Sequence, residues 1–254
     1  MAIRSVLINT ADIDRSVDFY TRFLGSEPRE VTADRAVLDV VTATLELHRI
    51  DASQTSSWKP DDLQDGFRHV GFKVGDLDAR VASLHEAGVA FQLEPIHAEG
   101  DVRITFFYDP DGTLLEFVEG PLQYHEVYDD DAVKKDWALG EPDRPRFDHV
   151  AETVDGLAPT LEYYGELGFG LMGGIHQAAD PRGFEINYLR SGDTSLEVFT
   201  FDAPHSHRDL QDDAPGFAAM YLDGSRPSAV SSSHASDRNL EDAGDGVVKL
   251  RLGR

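Results

Sequence analysis

Hydrophobic and polar positions along this chain repeat a short theme. Ile13, Val17, Tyr20 and Leu24 fall at helical spacing, as do Leu77, Val81 and Leu84, and again Leu157, Leu161 and Tyr164. Each helical run follows an extended stretch rich in β-branched and aromatic residues: "IRSVLINT" from Ile3, "FRHVGFKV" from Phe67 and "FDHVAETV" from Phe147. An aspartate suited to helix capping stands at each junction (Asp12, Asp76, Asp155), and each helix ends at a glycine, Gly25, Gly88 or Gly168. Strand-like runs follow. The second repeat has "VAFQLEPI", "VRITFFYD" and "TLLEFVEG", with a turn "DPDG" from Asp109 to Gly112. The first has "AVLDVV" and "ATLELHRI", and the third "GFEINYLR" and "TSLEVFTF".

The unit is thus strand, helix and three strands. A fourth copy starts at "PGFAAMYLDG", from Pro215. It passes through a Ser-, Asp- and Gly-rich stretch that reads as loop, and closes on "VVKLRLG". The expected fold is α+β: tandem βαβββ modules, three complete and a fourth degenerate, paired because one small sheet cannot cover both its faces. The expected halves are residues 1–120, with two modules, and 147–254, with one module and the degenerate one. Between them, 121–146 is a charged, Pro-containing linker or wrapping segment.

Alternation along the strands sets the polar residues apart. Val70, Phe72 and Val74 share one face, and His69, Gly71 and Lys73 the other; Leu115 and Phe117 lie opposite Leu114, Glu116 and Val118; Leu45 and Leu47 lie opposite Thr44, Glu46 and His48. The apolar faces pack on helices, and His69, Glu116 and Glu46 then face a cavity.

The repeat, with "HVGFKV", "DPDGTLLEF" and "VDFYTRFLG", resembles the vicinal oxygen chelate superfamily, which includes glyoxalase I, extradiol dioxygenases and bleomycin-resistance proteins. The resemblance implies that the modules pair into two half-open barrels, each around a ligand cavity, and that metal ligands, where present, come from the first and last strand of each module in a pair. In the first half those positions are Ser5, Glu46, His69 and Glu116, of which three are capable ligands. In the second half they are His149 and Glu197, then a position near Ala219 and one on the "VVKLRL" strand, which has no glutamate. The metal expectation therefore rests on Glu46, His69 and Glu116, with His48 as a substitute for the ligand missing at Ser5. His149 and Glu197 read as relics or hydrogen-bonding cavity residues, and Tyr188, Asn187 and Phe199 as lining a second cavity.

Two carboxylates buried near each other are costly unless a cation neutralises them, and with an imidazole they suit Fe, Mn, Ni, Co or Zn. Three protein ligands leave positions open for water and substrate. The ion would polarise adjacent oxygens of a small oxygen-rich molecule, with Glu116 as general base in glyoxalase-like lyase or isomerase chemistry, or in dioxygenase chemistry. The alternative is a metal-free small-molecule binding or antibiotic-resistance-type protein, in which Glu46 meets an arginine and Tyr20, Phe106, Phe107 and Tyr108 supply groove aromatics. A scaffold with a vestigial cavity is a third reading. "HSH" from His205 to His207 reads as a surface loop, and the Asp129–Asp131 run as a solvated charge cluster.

Composition narrows the partners. With 23 Lys plus Arg against 47 Asp plus Glu, the 254-residue chain carries a formal charge of -24. Such a surface repels phosphate backbones and anionic lipid, which excludes nucleic acid and membrane as main partners and leaves a small-molecule ligand, with a homodimer as a possible assembly. No cysteine is present, so thiolate ligands and disulfides are excluded. No signal peptide or membrane span is recognised, and a cytoplasmic location is the expectation.

Overall fold

The computed structural model describes residues 1–208, 213–224, 238–244 and 247–252. In chain order the first module comprises β1 (Ile3–Thr10), α1 (Ile13–Leu24), β2 (Glu27–Val31), β3 (Arg35–Asp39) and β4 (Thr44–Arg49). The second comprises β5 (Gly66–Val74), α2 (Leu77–Glu86), β6 (Phe91–Ala98), β7 (Val102–Tyr108) and β8 (Leu114–Glu119). A connecting segment carries β9 (Glu126–Val127) and α3 (Asp130–Ala138). The third module is β10 (Arg146–Thr153), α4 (Leu157–Glu166), β11 (Gly170–His176), β12 (Glu185–Ser191) and β13 (Thr194–Thr200). β14 (Gly216–Asp223), β15 (Arg238–Gly244) and β16 (Val247–Leu252) follow. β15 runs through part of the stretch expected to be loop; residues 225–237 and 245–246 of that stretch lie outside the described residues.

Local signals explain the helices. The side chains of Asp12 and Asp76 accept hydrogen bonds from the amides of Arg15 and Ala79, satisfying donors that the first helical turn leaves open. The third start differs from expectation: the cap of α4 is Gly156, with no side-chain bond, rather than Asp155. Gly25 closes α1 at φ 58, a backbone conformation that side-chain-bearing residues rarely adopt. The Asp129–Asp131 run is solvent-exposed, as expected, and Asp129 also caps α3 by accepting from the amides of Asp131 and Ala132.

The strands form two open sheets, and neither closes into a barrel. One has 7 strands in the order β15-β16-β14-β1-β4-β3-β2; the other has 9, in the order β6-β7-β8-β5-β10-β13-β12-β11-β9. The sheet pairing therefore differs from the sequence expectation of modules one and two together. Module two shares a sheet with module three through antiparallel β5 and β10, while module one pairs with the C-terminal strands through antiparallel β1 and β14. Both β5 and β10 are buried along nearly their whole length, which fits strands inside a sheet with a neighbour on each edge.

One apolar core joins the sheets. It includes Val6 and Leu45 from the first, Val70, Phe72, Leu115, Val150 and Leu196 from the second, and Tyr20, Leu84 and Tyr164 from the helices. Tyr20 and Phe107, named above as groove candidates, are fully buried in it. A smaller cluster forms where α3 lays Val133 against Met172, Ile175, Ile186, Tyr188 and Phe199. The connecting segment is thus a wrap, held to β11 also by the amides of His125 and Tyr128, which donate to the carbonyls of Gly174 and Met172 at 2.9 Å each.

Candidate functional site

The face of β5 opposite the core carries His69, as alternation predicts, and the neighbouring strands bring three further groups to it. β8 runs parallel to β5 and sets Glu116 opposite Gly71. β10 runs antiparallel on the other side and sets His149 opposite the same Gly71. β13, parallel to β10, sets Glu197 opposite Ala151. Gly71 is the empty place that makes this possible: a Cβ there would lie 2.1 Å from Cε1 of His149.

The four side chains converge. Nε2 of His69 lies 3.1 Å from Oε2 of Glu116, 3.1 Å from Oε2 of Glu197 and 3.1 Å from Nε2 of His149. Nε2 of His149 lies 2.9 Å from Glu116 Oε2 and 3.4 Å from Glu197 Oε2. All four residues are buried, at 2%, 4%, 3% and 7% exposure for His69, Glu116, His149 and Glu197. Despite these approaches, Oε2 of Glu116 has no hydrogen bond of acceptable geometry. The ligating atoms of the four residues all lie within 4.8 Å of one another. Ligands about 2.1 Å from one ion and at right angles to each other stand about 3.0 Å apart, which is the spacing found here.

The surrounding residues fix this arrangement. Asp148 Oδ2 lies 3.0 Å from His149 Nδ1, and Tyr188 donates its hydroxyl to Glu197 Oε1 at 2.6 Å. Such partners set ring tautomer and carboxylate orientation. Phe106 packs edge-on against His69 with centroids 4.9 Å apart. Burial opposes charge on both imidazoles, but the adjacent carboxylates outweigh it and raise both above the usual histidine range. Burial likewise opposes ionisation of Glu197, yet the two imidazoles hold its carboxyl below the usual range. For Asp148, burial is outweighed by His149, Lys73 and Arg146, which bring it to about 2.

Two cavities meet at the cluster. One, of ≈ 80 Å³, touches Glu116, His149 and Glu197 and is roofed by Leu122, Tyr124 and Asp136 of the wrap. The other, of ≈ 280 Å³, touches His69 with Leu93, Phe106 and Phe199.

Of the residues picked from sequence, His69 and Glu116 come together, and Glu46 and His48 do not join them. Glu46 lies in the other sheet, where Ser5 Oγ donates to it at 2.9 Å and Arg35 Nη2 at 3.1 Å. His48 Nε2 stands 3.8 Å from the same carboxylate. His149 and Glu197, read as relics or hydrogen-bonding cavity residues, line a cavity, make hydrogen bonds and stand in the cluster beside His69 and Glu116. Their signal was in the sequence: each repeats the position that His69 or Glu116 holds in its own module. What could not be read was that β5 pairs with β10. A second group, Asp65, Asp155 and His205, lies within metal-ligating reach, but its geometry is that of hydrogen bonds. His205 and His207 approach the two oxygens of Asp65 at 2.8 and 2.7 Å, so the "HSH" stretch is pinned to the start of β5.

Comparison with known proteins agrees with this architecture. The profile of the Glyoxalase/Bleomycin resistance protein/Dioxygenase superfamily matches residues 2–117. The chain is 32% identical over 127 residues to the uncharacterized protein YwkD of Bacillus subtilis, covering 46% of this chain and 96% of that protein. It is 29% identical over 133 residues to the lactoylglutathione lyase of Haemophilus influenzae, covering 47% of this chain and 93% of the enzyme. In fold it resembles glyoxalase I from Zea mays, with a TM-score of 0.59, 20% identity, and 81% and 69% of the two chains covered. Repeated βαβββ modules, the profile match and these relatives together place the chain in the glyoxalase/bleomycin resistance protein/dioxygenase superfamily.

Proposed function

We propose that this protein is a metal-dependent enzyme of the lyase, isomerase or dioxygenase type, acting on a small molecule that presents two adjacent oxygens. One observation carries the reading: two imidazoles and two carboxylates, all buried, lie with their donor atoms within 4.8 Å of one another. Burying two carboxylates side by side is costly, and a divalent cation removes the cost. A mixed nitrogen and oxygen donor set suits Fe, Mn, Co, Ni or Zn.

His69, Glu116, His149 and Glu197 are the proposed ligands. A bound ion supplies Lewis acidity toward the substrate oxygens. The remaining work belongs to the chain. Asp148 orients His149, and Tyr188 ties down one oxygen of Glu197. Glu116 has no hydroxyl partner of this kind, so it is the carboxylate better placed to accept a substrate proton as general base. Leu93, Phe106, Leu114 and Phe199 line part of the cavity on the His69 side, and Asp62, Arg68 and Gln92 give it polar groups beside the cluster.

A metal-free binding role is the second reading, because the imidazole–carboxylate contacts can also neutralise one another. Chelator-stripped protein reloaded with each of the five metals separates the two. Isomerisation of a thiol–2-oxoaldehyde hemithioacetal and oxygen uptake with a catechol are the probe reactions. Metal-restored turnover that Glu116→Gln abolishes supports the enzyme. Tight binding of small molecules that is indifferent to metal, without turnover, supports the binding protein.

A further inference from the structure

We propose that the seam between the two sheets contains a second binding site, a seat for a small oxyanion (phosphate, sulfate or a carboxylate group) held by Arg68 and Arg208. Both guanidinium-bearing residues are buried, at 3% and 8% exposure. They border one cavity of ≈ 40 Å³ with Trp58, Asp111 and Thr113, closed from the other sheet by Phe217 of β14. Space of that size admits a few waters or one oxyanion, not a whole cofactor.

Among the described residues neither cation has the carboxylate partner that buried cations normally have. Arg68 donates to the carbonyls of Gln64 and Lys59, at 3.3 and 2.9 Å, and its Cζ lies 5.1 Å from the Trp58 ring centroid. Its Nε is buried with no hydrogen-bond partner. Among the described residues, neither arginine has a carboxylate within ion-pair distance, and Arg208 has no hydrogen bond. The carboxylate in the wall is already committed. Asp111 Oδ1 accepts from Arg15 at 2.7 Å and the Ala11 amide at 3.2 Å, and Oδ2 from Thr10 at 2.6 Å and Ser16 at 3.4 Å.

Two buried charges of like sign in one pocket, with no carboxylate among the described residues in ion-pair contact with either, are strongly unfavourable. Burial depresses both guanidiniums to about 10; Asp62 and Asp61 partly offset this for Arg68, while Arg68 adds to it for Arg208. An oxyanion supplies the counter-charge that the described residues do not place beside either guanidinium, and the planar donor fork of arginine matches an oxyanion's geometry. Arg68 also borders the ≈ 280 Å³ cavity of His69, so the seat adjoins the metal-site cavity without using any of the four clustered donors. The inference stands apart from the metal reading.

Thermal unfolding of the full chain tests it, with sodium phosphate, sulfate or acetate titrated against chloride at constant ionic strength. The wild type is expected to gain several degrees, saturably, with at least one oxyanion. Response to phosphate or sulfate alone identifies a tetrahedral ligand, and response to acetate a carboxylate. Arg208→Gln is expected to lose the response and, in chloride alone, to melt above the wild type because one buried charge is gone. Arg208→Lys should keep part of the response. No oxyanion effect on the wild type, an undiminished effect in Arg208→Gln, or an Arg208→Gln that melts below the wild type in chloride would each overturn the proposal.

Discussion

The imidazole of His149 lies across Gly71, so close that a methyl group on Gly71 would stand 2.3 Å from Nε2. Gly71 is opposite both His149 and Glu116 in the sheet, so it is the residue over which two modules exchange side chains. The proposed ligand set depends on this gap as much as on the ligands.

Gly71→Ala should therefore expel His149 from the cluster while keeping the strand pairing, since alanine is tolerated in a strand. Metal affinity is expected to fall at least 10–100-fold, the range seen when ligand orientation is lost. Titration with Co²⁺, followed by its visible absorption, measures this, and circular dichroism checks that the sheet survives. Unchanged affinity would mean that His149 is not a ligand.

The orienting contacts predict a graded effect. Asp148→Asn weakens the bond to His149 Nδ1, and Tyr188→Phe frees Glu197 Oε1. Each is expected to lower metal affinity about 10–100-fold with the fold intact. A purely structural role for either residue would instead lower the melting temperature and leave affinity unchanged.

Glu46 should behave as a stabilising residue of the other sheet. Burial works against its ionisation, but His48, Ser5 and Arg35 outweigh it and lower its pKa. A depressed carboxylate contributes stability above its unfolded pKa and loses it as pH falls through the folded value. Glu46→Gln should thus cost about 1 kcal/mol at neutral pH. That difference should shrink as the pH drops below about 4, the range of an unperturbed glutamate. Urea midpoints from neutral to acidic pH check the sign, and metal content should not change.

Much of the fold was legible because it is local. Helical spacing at Leu77, Val81 and Leu84, the Asp76 cap and the alternation of Val70, Phe72 and Val74 depend on near neighbours, and all three appear as expected. The site was half legible. His69 and Glu116 were picked from alternation and from their module positions. Their partners depend on which module sits beside which, a long-range choice that no short stretch encodes. Glu46 and Glu197 hold equivalent module positions, yet one meets Ser5 and Arg35 and the other meets two imidazoles. β15 was missed because "RNLEDAG" lacks the β-branched and aromatic residues that mark a strand.

The most direct test is the metal content of protein purified without chelator, by elemental analysis, for the wild type and five alanine variants. The expected result is one equivalent of a divalent transition metal in the wild type and in Glu46→Ala, and its loss in His69→Ala, Glu116→Ala, His149→Ala and Glu197→Ala. Metal retained in His149→Ala and Glu197→Ala but lost in Glu46→Ala would contradict the site, as would no metal in the wild type after reloading.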